Sequence, residues 1–391
     1  MKLAERALLA EPFHAMAFGQ RAAELEAAGH PVIKLSLGEP NFGAPPAVRD
    51  AMRELMDGRP LPYTAALGLP SLRQAIAGFY RDRHTVEVDP AHIVVTSGAS
   101  CALLLAVAAT VEPGDEVLMA DPSYPCNREI VRSFGGRVVS VPTSVRSRYQ
   151  LDSSSVAHAW TDRTRAVMLA SPSNPTGTSI PFDELAAICE LTRSRNGWRI
   201  VDEIYLELAD PDESGMPARS VLSTDPQALV INSFSKYFGM TGWRLGWAIV
   251  PGDIVEQVER LAMNYFLCAS APAQQAALAA FEPSSLAECE RRSAELRARR
   301  KIVLEALNAI GLSVPVIPDG AFYVYFDVSG TGLDAWEFCE RALSEVHVSL
   351  TPGRDFGVVT ANTHVRLSYA AAREDVHEGM TRLGEFVASL G

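Results

Sequence analysis

The run 233–247 reads Ser-Phe-Ser-Lys-Tyr-Phe-Gly-Met-Thr-Gly-Trp-Arg-Leu-Gly-Trp. It places an amine, Lys236, just after the hydroxyls of Ser233 and Ser235 and eight residues before Arg244. Such a set can hold a phosphorylated aldehyde by both ends. Lys236 can form a Schiff base with the aldehyde, while hydroxyl and guanidinium donors take the phosphate dianion. The combination reads as a site for pyridoxal phosphate (PLP). Taken singly, Lys236 is equally a solvated loop lysine and Arg244 a surface charge, so the reading depends on other segments.

PLP chemistry requires a carboxylate that keeps the pyridine nitrogen protonated and donors that tune the phenolate oxygen. Asp202, in Ile200-Val201-Asp202-Glu203-Ile204-Tyr205, suits the first role. A carboxylate at a buried strand end is costly unless a cation faces it, and a pyridinium is such a cation. Tyr205 and Asn174 can both reach the phenolate oxygen; alone, they read as a buried tyrosine and a turn asparagine. Ser97-Gly98-Ala99-Ser100 opens a helical pattern, so backbone N–H groups there can take phosphate, although the same residues serve as a plain helix start. Tyr124 can stack on a ring face or simply pack.

These residues fall at one repeated place in the pattern. Short apolar runs at 93–96, 116–120, 166–170, 199–201, 229–232 and 245–250 read as strands, and polar or glycine-containing loops and helical stretches follow several of them. Helices are expected at 101–110 and from Pro181 to a stop at Gly197. Asn174, Asp202 and Lys236 each come just beyond a strand's carboxyl end, where open α/β sheets bind ligands. The carboxyl third differs: a long helix at 284–310, a strand at 322–328, a helix at 334–345, short strands near Val348 and at 365–369, and a terminal helix at 373–390. The fold expected is α/β, a large domain with a mostly parallel sheet (46–283) and a smaller α+β domain with its connecting helix (284–391). An amino-terminal segment (1–45), with a helix at 13–28 and a strand at 32–37, is expected to pack with the small domain.

Composition narrows the partners. The 391 residues are 48% hydrophobic and 21% charged, with a net charge of -12, which suits a globular core and argues against nucleic acid or an anionic membrane surface. The six cysteines are scattered, with no metal-ligand spacing and no disulfide framework. The first ten residues lack a signal-peptide core, and no apolar run reaches membrane-span length. A cytoplasmic location and no metal are the expectations.

In this order the motifs resemble those of the class I/II aminotransferases, the fold-type I PLP enzymes related to aspartate aminotransferase. The resemblance runs from Leu37-Gly38-Glu39-Pro40 to Val365-Arg366-Leu367-Ser368. It implies Lys236 as the Schiff-base lysine, Asp202 on the pyridine nitrogen, and Asn174 and Tyr205 on the phenolate oxygen. Ser233, Ser235, Arg244, Ala99 and Ser100 would hold the phosphate and Tyr124 would stack on the ring. It implies a homodimer in which Tyr63 reaches the neighbouring subunit's phosphate. Arg366 would grip the substrate α-carboxylate beside Gly38 and Asn174. Ala99 stands where relatives often carry a polar residue, which leaves only its backbone N–H for phosphate.

The activity implied is ping-pong transfer of an amino group between an L-amino acid and a 2-oxo acid, 2-oxoglutarate or pyruvate. Lys236 would move the Cα proton, its pKa depressed by imine formation and by Arg244. A PLP-dependent C–S lyase or synthase on the same scaffold would use the same residues. A non-catalytic regulatory module is the alternative least expected, since the family motifs begin by Gly38 and the net charge of -12 does not suit DNA. No second arginine stands out for a distal carboxylate. Phe13, Phe18, Tyr323 and the stretch 263–270 are candidates for the side-chain pocket, with the amino-terminal helix as a lid.

Overall fold

The computed structural model describes residues 2–9 and 14–390. Phe13 lies outside them, as do Met1 and Ala10 of the amino-terminal stretch. Seven strands form the main sheet: β1 (Ile93–Thr96), β2 (Glu116–Asp121), β3 (Arg137–Pro142), β4 (Thr164–Ala170), β5 (Trp198–Asp202), β6 (Leu229–Ser233) and β7 (Gly246–Ile249). Their spatial order is β1-β7-β6-β5-β4-β2-β3. The pairs from β6 through β3 are parallel, and β7 runs antiparallel to both its neighbours.

Near-continuous apolar runs are what a sheet covered on both faces needs. Successive residues bury into two different cores, following the two-residue period of a strand. Val94, Met168, Ile200 and Ile231 pack with Leu103 and Val107 of helix Ala99–Thr110. Val95, Val167, Val201 and Val230 pack in the larger core on the other face.

The carboxyl third forms a second sheet from β8 (Tyr323–Asp327), β9 (Thr351–Pro352) and β10 (His364–Ser368), antiparallel in the order β9-β10-β8. Helix Pro283–Ala309, 27 residues long, packs against the terminal helix Arg373–Leu390. The strand read at 32–37 is a two-residue ladder, Ile33–Lys34, parallel to Val348–Ser349. Ala22 and Phe18 of helix His14–Ala27 bury in the core that the two sheets share.

Strand β3 was not read from the sequence. It pairs on one side only and leaves Arg137, Ser140 and Pro142 exposed, so its apolar content is too thin for a buried-strand signature. Helices Pro46–Leu55, Pro70–His84, Pro125–Ser133 and Val255–Tyr265 were also not read; three of them open on a proline at a first-turn position, where its missing N–H costs nothing.

Candidate active site

The carboxyl ends of β1, β4, β5 and β6 face the small sheet across a cavity of about 420 Å³. Gly38, Ala99, Ser100, Tyr124, Asn174, Asp202, Tyr205, Ser235, Lys236, Arg244 and Arg366 all line it. Ser233 and Tyr63 do not. Ser233 is buried one step behind: its Oγ accepts from Ser235 N at 3.0 Å, donates to Leu245 O at 3.0 Å, and lies 2.9 Å from Ser235 Oγ. It therefore positions Ser235. Tyr63 is 80% exposed.

Lys236 Nζ donates to the carbonyl of Gly38 at 2.6 Å. A Cβ on Gly38 would sit 2.7 Å from Tyr323 Oη, so only glycine lets this backbone come so close to the tyrosine. Burial is the largest influence on Lys236 and pulls its pKa down to about 8; Glu39 opposes the shift, and Arg366 and Arg244 reinforce it. Arg244 contributes as expected, and desolvation of the ammonium, which the sequence reading did not weigh, comes first.

Asp202 is buried at the tip of β5, and burial raises its pKa to about 6. Its Oδ1 accepts from Ile204 N at 3.0 Å. Among the described residues it forms no ion pair, and it faces the cavity. A cationic ring nitrogen would supply the missing partner.

At the other end of the cavity, helix Ala99–Thr110 starts from Gly98, at φ 80°, with no side-chain cap. Its first N–H groups are therefore open to an anion. A Cβ on Gly98 would meet Arg244 Nη2 at 2.5 Å, so the guanidinium lies directly against that turn. Arg244 itself has a φ of 51° and donates from Nη1 to Thr241 O at 2.9 Å. Ser235, Ser100 and Arg244 thus surround one open helix start, a donor set suited to a phosphate.

Arg366, on β10, is buried on the small-sheet side. Nη1 donates to Asn174 Oδ1 at 2.9 Å, and Nη2 donates to Ser36 O at 2.7 Å and to Thr351 Oγ1 at 3.2 Å. Its Nε is buried with no protein partner. The rings of Tyr323 and Phe356 lie 4.6 and 5.0 Å from the guanidinium carbon and fix its plane. Tyr323 Oη is 2.9 Å from Tyr205 Oη; burial raises the pKa of both phenols, so both are protonated donors at neutral pH.

The cavity also contains residues the sequence did not single out: Ala15, Met16, Ser36, Leu37, Leu103, Ile204, Thr241 and Gly242. Glu39, in the Gly-Glu-Pro run, also lines it. Phe18, expected there, packs instead on Trp336 at 5.2 Å between ring centroids. None of residues 263–270 lines it; Met263, Tyr265 and Leu267 are exposed. Tyr323, expected there, does line it.

The cavity suits PLP on three counts. A buried carboxylate with no ion pair among the described residues faces one side, an uncapped helix start with an arginine lies at the other end, and a buried amine stands between them.

The sequence model of the aminotransferase class I and II family matches residues 30–383. The valine–pyruvate aminotransferase of Mycobacterium tuberculosis is 39% identical over 97% of both chains. The arginine–pyruvate transaminase of Pseudomonas aeruginosa is 36% identical, over 93% of this chain and 91% of its own. In structure, an aminotransferase from Mycobacterium tuberculosis superposes with a TM-score of 0.95 at 38% identity, covering 100% of both chains.

Proposed function

The chain belongs to the class I and II aminotransferase family and has its fold-type I architecture, and from that premise we propose how its own residues carry the transfer of an amino group from an L-amino acid to pyruvate. Pyruvate is the preferred acceptor on the strength of two relatives whose names specify it; 2-oxoglutarate is the second. The observation that carries the reading is the convergence of Lys236, Asp202, Arg244 and Arg366 on one cavity.

PLP, when bound, supplies an aldehyde for covalent capture of an amine and a ring that draws off the electron pair released at Cα. Ser235, Arg244, Ser100 and the backbone N–H of Ala99 hold its phosphate, with Ser233 fixing Ser235 from behind. Asp202 keeps the ring nitrogen protonated. Tyr205 Oη and the Nδ2 of Asn174 donate to the phenolate oxygen, since Asn174 Oδ1 is already taken by Arg366. Tyr124, which lines the cavity, would pack against the ring.

Arg366 grips the substrate α-carboxylate with the donor capacity its protein partners leave, Nε included. Asn174 and Gly38 flank that carboxylate. With the carboxylate fixed, Cα is held toward Lys236. Lys236 Nζ is the base that takes the Cα proton. Its lowered pKa leaves a working fraction of neutral amine near pH 7 to 8.

Tyr63, exposed in this chain, completes the phosphate site of a partner subunit in a homodimer. The division into segments 1–45, 46–283 and 284–391 is part of the same reading; it rests on the separate sheets and on the pairing of Ile33–Lys34 with Val348–Ser349. Six unpaired cysteines suit the reducing cytoplasm, and no helix among the described residues is long and apolar enough to cross a membrane.

The test is a supply of amino acid without acceptor. An aminotransferase releases about one equivalent of 2-oxo acid per site and then stops until pyruvate is added. Continuous ammonia release would instead identify a lyase and overturn the reading.

A further inference from the structure

We infer that Asp355 is a positioning residue for substrate choice: by holding the start of helix His14–Ala27, it sets Ala15 and Met16 as an apolar outer wall against the donor's side chain. This rests on the functional reading above, since it takes Arg366 as the grip on the α-carboxylate.

The contact joins positions far apart in the sequence. Asp355 Oδ1 accepts from His14 N at 2.9 Å and Oδ2 accepts from Ala15 N at 2.7 Å. Both oxygens therefore accept from N–H groups in the first described turn of helix His14–Ala27, where the helix dipole favours a carboxylate. Ala15 and Met16 line the cavity. Met16 is 70% exposed, so little packing fixes it, and its place depends on where the helix begins.

Asp355 is itself buried and anchored to the large domain. Arg128 Nη2 donates to Asp355 O and its Nη1 to Phe356 O, both at 2.8 Å; Ser123 N also donates to Phe356 O, at 2.8 Å. The ring of Phe356 in turn lies 5.0 Å from the Arg366 guanidinium carbon. One short loop thus fixes both the carboxylate grip and the wall. A side chain growing out from Cα meets a wall whose distance from Arg366 is set by residues 355 and 356. The lining cations are already committed to the cofactor and the α-carboxylate, which leaves none for an acidic side chain, and the apolar wall of Ala15 and Met16 favours donors with apolar ones.

The experiment uses the PLP-loaded enzyme in single-turnover half-reactions with leucine and with alanine, whose methyl group offers the wall the least apolar surface. In Asp355→Ala, kcat/KM for leucine should fall about tenfold, the low end of the cost of a lost apolar contact surface, while alanine stays within about twofold. Met16→Ala, which leaves the helix anchored, should lower the leucine-to-alanine ratio in the same direction. Amide hydrogen exchange across 14–27 should accelerate in Asp355→Ala and stay unchanged in Met16→Ala. Equal losses for both donors, an unchanged ratio, or unchanged exchange in Asp355→Ala would overturn the proposal. Failure of the parent reading looks different, as a wild-type protein inert toward every amino donor, and would remove this proposal with it.

Discussion

Two buried carboxylates stand back to back at the end of β5. Asp202 turns into the cavity, with one backbone donor and no ion pair among the described residues. Glu203 turns the other way, where its carboxylate accepts from Val221 N at 2.7 Å and Ser220 Oγ at 2.8 Å. Behind the sheet Asn232 Nδ2 donates to Glu207 at 3.2 Å, and His84 Nε2 lies 3.5 Å from the same oxygen. Burial raises both pKa values, Asp202 to about 6 and Glu203 to about 7. A displaced pKa therefore does not separate the functional carboxylate from the structural one. What separates them is remaining capacity: Glu203 spends both oxygens on its own chain, whereas Asp202 leaves room for a cation.

The largest effect expected on the cavity side is at the amine. Lys236→Ala should lower turnover on the order of 10⁴-fold, the upper range for a positioned acid–base group. It should also abolish borohydride trapping of PLP on the chain. Trapping that persists at another lysine would move the centre of the site and break the contrast drawn at β5.

Next comes the pair itself. Asp202→Asn should lower kcat/KM on the order of 10³-fold, as expected when a charge aimed at the reacting system is removed. Glu203→Gln should stay within about threefold, less than the ~1.4 kcal/mol that a tenfold change represents. Steady-state kinetics on both variants decides the matter. If Glu203→Gln matches the loss in Asp202→Asn, the cluster behind the sheet belongs to the catalytic apparatus after all.

The same contrast explains what could be read from sequence. Lys236, Ser235 and Arg244 were legible because they fall within ten consecutive residues. Asp202 and Asn174 were legible because strand ends recur at predictable places in an α/β chain. Asp355 was not, since its partners His14 and Ala15 lie about 340 positions away, and no local pattern encodes a cap donated from a distant loop. Phe18 was misplaced for a related reason: an aromatic on an amphipathic helix looks the same whether it faces a cavity or Trp336. Ser233 was assigned to the phosphate from its hydroxyl's place in the lysine run and from the family resemblance, and only the hydrogen bonds show it one step behind Ser235.

The smallest effect is on stability, and it separates the two carboxylates without any catalysis. Each has a folded pKa above its usual value, so each contributes stability that is fully present below the unfolded pKa and is lost as pH rises through the folded one. For Glu203 that window runs from about 4.5 to about 7, and for Asp202 from about 3.8 to about 6. In cofactor-free protein, urea unfolding should show Glu203→Gln gaining on the wild type across its window by a few kcal/mol, since each pKa unit is worth about 1.4 kcal/mol. Adding PLP brings a cation to Asp202 alone. It should therefore remove the loss between pH 4 and 6 that Asp202 causes while leaving the part that Glu203→Gln abolishes. A ligand that flattened both parts equally would show that the two carboxylates share one environment, and the distinction between them would fail.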